Sequence, residues 1–289
     1  MSLPPNPLPD GVQELAPPAA VPDAPLGVPV AEVMAPPVPP VKRFPAWSGW
    51  DVLAILVFTG FSVIVSIVVA LLASGVVTGH ANVSVNELTS NPRVIRAFLG
   101  GQAAAYLVVL LAMFVVVRSR AREPFGQGIQ WNWPGTSATI FFVSGIVLAL
   151  AVDGLSRFLP MPKSLPIEDL FNNRTNAYLM ALFGLTLAPL LEELFFRGLL
   201  YPVLRRSLGL VTAVLLTALG FAGIHSVQLG YAWAPILSIF VVGVVFTLVR
   251  QRWSSVASSF LMHCGYNFTL FALLWYASDH FRHLEKAAG

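Results

Sequence analysis

The apolar runs between Trp50 and Ala277 constrain this chain more than any other feature. Seven of them, near 52–77, 97–117, 137–159, 177–203, 209–228, 233–250 and 255–277, are long enough to cross ~30 Å of hydrocarbon, which takes about 20 helical residues. The chain is 56% hydrophobic and 11% charged, against about 25% charge in an ordinary soluble domain. Its mean hydropathy is +0.74. The expected fold is all-α, a polytopic helical membrane bundle of about seven transmembrane helices over residues 46–289. Any two neighbouring segments could equally form one kinked or re-entrant element.

Residues 1–45 hold 14 of the 23 prolines. Proline fixes φ and removes a backbone donor, so a disordered, extended N-terminal tail is expected there. It reads as a passive tether, or as a docking segment for a partner with an aromatic groove. Seventeen basic and 14 acidic residues leave a net charge of only +3. That excess is too small and too scattered for a nucleic-acid partner. Nine basic residues (Lys42, Arg43, Arg118, Arg120, Arg122, Arg205, Arg206, Arg250 and Arg252) crowd one set of span ends, against seven spread along the other. The positive-inside rule therefore places the N-terminus in the cytoplasm. Trp47, Trp50, Trp131, Trp133 and Trp253 lie near span boundaries, where amphipathic rings prefer to sit. Cys264 is the only cysteine, so no intrachain disulfide can form.

Against this apolar background the charged and polar residues inside spans stand out. Each ionisable group in a bilayer costs at least ~2.5 kcal/mol, and Glu192, Glu193 and Arg197 share one segment. Glu193 and Arg197 are four apart and face one side of a helix, while Glu192 is turned about 100° away. An internal ion pair that fastens helices explains Glu193 and Arg197 but leaves Glu192 without a partner. An isolated carboxylate is costly there and suits a general base. Phe221 and His225 are again four apart, and the histidine reads either as an interhelical hydrogen-bonder or as a catalytic group. His263 and Asn267 share that spacing, and an imidazole beside a carboxamide can donate to one oxygen, as an oxyanion site requires. Zinc is the rival reading, since two histidines and a carboxylate leave one position open. The helical His-Glu-x-x-His pair is absent from the sequence, and asparagine is a poor zinc ligand.

Glu-Glu-x-x-x-Arg (192–197), Phe-x-x-x-His (221–225) and His-x-x-x-Asn (263–267), in that order, resemble the signature of the CPBP family. This is the CAAX protease and bacteriocin-processing group, also called Abi, which includes the type II CAAX prenyl endopeptidases. The resemblance covers residues 177–277. It implies an intramembrane endopeptidase of a bacterial cell membrane, metal-independent and without a cofactor, with a site opening into the bilayer and towards the cytosol. Glu192 would activate a water with help from His225, and His263 with Asn267 would hold the oxyanion. Glu193, Arg197 and Phe221 would shape the site. The implied partner is a peptide or protein substrate, including one with a lipidated, CAAX-like C-terminus. Two other readings stay open: a non-enzymatic scaffold or immunity protein of the same family, and a transporter using Glu192 and Glu193 as a proton relay.

Overall fold

The structure, a computed structural model, describes residues 44–73, 91–171 and 173–283. The Pro-rich tail therefore lies outside the described residues apart from Phe44 and Pro45, as do Lys42 and Arg43. The described residues are helical throughout, with turns and short connections between helices and no strand. The helices are α1 (Gly49–Ala73), α2 (Pro92–Ala121), the short α3 (Phe125–Gly128), α4 (Ala138–Ser156), α5 (Arg174–Leu185), α6 (Leu187–Glu193), α7 (Tyr201–Leu208), α8 (Leu210–His225), α9 (Trp233–Trp253) and α10 (Val256–Ala277). A π-helical turn, Leu194–Leu200, joins α6 to α7.

Among the described residues, five stretches are long and apolar enough to cross a membrane: 49–73, 93–121, 135–156, 174–208 and 233–253. The protein is a multi-pass, all-α membrane bundle, but on this measure the count falls short of the seven expected. The physical reasons differ. Helix α8 has only 16 residues, about 24 Å at 1.5 Å per residue. Helix α10 has 22, but Ser258, Ser259, His263, Asn267 and Thr269 break up its apolar surface.

Contacts fix which ends lie together. Arg120 Nη2, at the end of α2, is 2.7 Å from Asp51 Oδ1 at the start of α1. Arg206, near the end of α7, donates to the Pro45 carbonyl at 2.8 Å. Arg250, near the end of α9, reaches Gln130 Oε1 at 2.7 Å. Trp47 is fully buried rather than interfacial, and its indole N–H donates to the Leu199 carbonyl at 3.0 Å. The segment leading into α1 is thereby pinned to the π-helical turn.

Small residues bring the site helices together. Gly145 on α4 and Gly265 on α10 each lie under the other helix's backbone, where an added Cβ would collide with the Met262 and Phe142 carbonyls respectively. Helix α8 packs on α9 through Ala213, Thr217, Ala218, Phe221 and Ala222, a buried stripe at helical spacing. At Gly243 a Cβ would lie 3.1 Å from the Ala218 Cα. Backbones this close leave the polar side chains of α8, α9 and α10 little freedom to turn away.

Candidate active site

Two prolines shape the segment that carries the paired glutamates. Pro189 has no N–H to give the Leu185 carbonyl one turn earlier, and the helix breaks at Thr186, whose φ is −126° and ψ −79°. The carbonyls freed by the break are met by α10: Asn267 Nδ2 donates to the Gly184 oxygen at 2.8 Å, and the Cys264 thiol points at the Leu185 oxygen, 3.7 Å away. From Leu194 to Leu200 the helix widens, and the Tyr201 N–H bonds the Phe196 carbonyl five residues back. The next donor in that register belongs to Pro202 and is missing. Arg250 Nε fills the gap, donating to the Arg197 carbonyl at 3.2 Å. Widened turns of this kind frequently mark functional sites, and here one separates Glu193 from Arg197.

Glu193 and Arg197 are both completely buried. Arg197 Nη1 donates to Glu193 Oε1 at 2.8 Å and Nη2 to the Gly243 carbonyl at 3.0 Å, while Nε lies 3.4 Å from Thr247 Oγ1. Its guanidinium stacks 4.5 Å from the Phe221 ring centre. Every face of the cation is occupied, as a charge in this setting requires.

Glu192 takes no part in that pair. Its Oε1 lies 4.0 Å from Nε2 of His225 and its Oε2 lies 3.7 Å from Nε2 of His263. Helix geometry explains how residues 33 and 71 positions apart meet it. The chain turns at Gly209, whose φ is +83°. Glu192 stands 17 residues before that turn and His225 stands 16 after it, so the two reach the same depth. The apolar span 209–228 puts His225 near its far end. In the structure α8 simply stops at His225.

The other ring nitrogen of each histidine is already engaged. His225 Nδ1 is 2.8 Å from the Phe221 carbonyl, which can only accept. His263 Nδ1 is 3.0 Å from Glu193 Oε1, the oxygen that also faces Arg197. These partners assign the N–H to Nδ1 in both neutral rings and leave each Nε2 as an acceptor turned towards Glu192. The Glu192 carboxyl and two acceptor Nε2 atoms thus converge. At 3.7 and 4.0 Å they are too far apart to bond directly. A water about 2.8 Å from two of them would satisfy the site by donating its hydrogens.

The structure thus brings together Glu192, Glu193, Arg197, Phe221, His225 and His263, all named from sequence. Asn267 is placed differently from expectation: its amide donates to the Gly184 carbonyl and props open the helix break. His263 likewise turns its N–H to Glu193, so in neutral form it has no hydrogen for an oxyanion. The sequence reading missed Pro189, Pro202, Gly243, Thr247 and Arg250 as supports. The two prolines flanking the glutamates were the signal available. Among the described residues, no three His, Cys, Asp or Glu side chains group as they would around a metal ion.

A multi-pass helical membrane protein with a buried polar centre built from a glutamate and two histidines is the class this fold and site define. Residues 174–269 match the family described as Type II CAAX prenyl endopeptidase Rce1-like. The match spans about a third of the chain and contains all three motifs. No curated protein and no solved structure matches the chain.

Proposed function

We propose that this protein is an intramembrane endopeptidase in which Glu192 is the general base. The observation that carries the reading is the meeting of Glu192 with the free Nε2 atoms of His225 and His263, brought from three separate helices. A water held there gives one proton to Glu192, and its oxygen adds to the carbonyl carbon of a peptide bond. When the tetrahedral intermediate collapses, the C–N bond breaks and the proton passes to the leaving amine, by way of Glu192 or a histidine. Glu193 takes no proton in this scheme. Held by Arg197, it orients His263 much as a carboxylate orients the histidine of other hydrolytic sites. Asn267 holds the helix break that presents Glu192.

The similarity of the matched segment supports a substrate with a lipidated, CAAX-like C-terminus, whose lipid can lie in the bilayer while the peptide enters the site. The gathered basic ends of α2, α7 and α9 support a cytoplasmic N-terminus. The test is cleavage of farnesylated and unmodified CAAX peptides by the full chain in lipid nanodiscs, with and without a chelator. The parent should cut the lipidated peptide with chelator present. Glu192→Gln should lose about 10²–10⁴-fold in rate while melting at the parental temperature. Undiminished cleavage by Glu192→Gln rules out the proposed base, and chelator-sensitive cleavage favours a metal site instead.

A further inference from the structure

Arg197 stands inside the π-helical turn Leu194–Leu200, so whatever holds that turn also holds the cation that Glu193 faces. Pro202 cannot donate to the Arg197 carbonyl, and Arg250 Nε does so at 3.2 Å. Arg250 is itself buried, at 3% exposure. A buried cation needs its hydrogens taken up, and the planar guanidinium fork is aimed by whatever engages its other arm. Here that is Gln130, whose Oε1 accepts from Arg250 Nη2 at 2.7 Å.

Gln130 comes from the connection between α3 and α4, outside the matched segment. Its backbone is left-handed, with φ at +60°. A residue with a long side chain seldom adopts that conformation and keeps it only where its surroundings fix it. They do so here. The Gln130 carbonyl accepts the Val256 N–H, at the start of α10, at 3.0 Å. The Asn132 amide donates to the carbonyl of Ser254 at 2.7 Å, and Ser254 is itself left-handed, with φ at +46°. The Ser255 hydroxyl donates back to the Asn132 carbonyl. Ile129, the residue before Gln130, is buried, and a Cβ added at Gly198 would lie 3.7 Å from its own. Ile129 thus rests on the same peptide unit whose oxygen Arg250 holds.

From Gln130 a line of contacts leads to the base. Arg250 joins Gln130 to the Arg197 carbonyl. Arg197 Nη1 donates to Glu193 Oε1 at 2.8 Å, and the same oxygen faces His263 Nδ1 at 3.0 Å. His263 Nε2 lies 3.7 Å from Glu192 Oε2. We infer that Gln130 is a positioning residue for hydrolysis. By fixing Arg250 it sets the π-helical turn, and through Arg197 and Glu193 it sets the aim of His263 at the water that Glu192 activates. This assignment rests on the endopeptidase reading. It gives the left-handed glutamine a task and carries the support of the site beyond the matched segment.

The experiment measures kcat and KM for Gln130→Leu and Gln130→Glu in the full chain, on farnesylated CAAX peptide in nanodiscs, well below the melting temperature of each variant. Leucine removes the acceptor, whereas glutamate keeps an oxygen for Arg250. A small displacement at a reacting centre costs up to about 10²-fold, so Gln130→Leu should lower kcat about 10–10²-fold with KM within about twofold. Gln130→Glu should restore kcat close to the parent's. In an Arg250→Leu background, adding Gln130→Leu should change kcat less than about twofold, because the route is already cut. A Gln130→Leu enzyme as fast as the parent overturns the assignment, as does a Gln130→Glu enzyme as slow as Gln130→Leu. A loss that follows only the folded fraction, read by circular dichroism, also overturns it, by making Gln130 a tie for stability alone. Each of these leaves the role of Glu192 standing. Activity retained by Glu192→Gln, or no cleavage by the parent, overturns the assignment together with the reading beneath it.

Discussion

The two adjacent glutamates have separable roles because helix geometry points them apart. Glu193 is a structural charge: its oxygen is shared by Arg197 and His263 at 2.8 and 3.0 Å. Removing the cation strands a buried carboxylate, so Arg197→Met should cost about 3–5 kcal/mol of stability. The double change Glu193→Gln with Arg197→Met should cost less than the sum of the singles, because the stranded charge is gone. Denaturant unfolding in detergent measures both, and additive losses would dissolve the pair. Glu192 accepts no direct hydrogen bond, so Glu192→Gln should alter the same unfolding midpoint little while ending cleavage. The Glu193–Arg197 contact was legible from four-residue spacing alone. The partner of Asn267 was not: it bonds the Gly184 carbonyl on another helix, beside the break at Thr186, and no spacing within α10 reports that.

Helices meet here through glycines, and the positions tell which glycines matter. Gly145→Ala would push a methyl into the Met262 carbonyl and to within 2.7 Å of the Tyr266 N–H nitrogen, whereas Gly60 on α1 has nothing within 4 Å. Gly145→Ala should therefore destabilise the bundle by about 1–3 kcal/mol. It should also displace His263, which shares α10 with Met262, and so lower activity. Gly60→Ala should leave both unchanged. Thermal melting and peptide cleavage on the two variants check this, and equal behaviour would contradict the packing described. The sequence showed the helices themselves because apolar length is a local property. It did not show that α8 stops at His225, since the residues beyond it, Ser226 to Tyr231, include apolar ones that hydropathy counts into the span. Nor did it show the π-helical turn, which depends on Pro202 withholding a donor from the Arg197 carbonyl and on Arg250, 53 residues from Arg197, supplying one.

Across the whole molecule the same logic recurs: Trp47, Arg197, Arg250, His263 and Asn267 are each held by another element, while Glu192 faces the Nε2 atoms of His225 and His263. Trp47 ties the entry of α1 to the turn that carries Arg197, and Arg206 ties it to α7. The positions of the gathered basic ends were readable from sequence, because charge at span ends is counted residue by residue. The common depth of Glu192 and His225 was not, because it depends on where Gly209 turns the chain. The account stands on one water shared by Glu192 and the two imidazoles. The most direct measurement is an experimental density map of the full chain in lipid, at a resolution that shows ordered water. The account predicts a single water about 2.8 Å from a Glu192 oxygen and from Nε2 of His225 or His263. A map with Glu192 turned away and both Nε2 atoms bonded to other protein groups would contradict it.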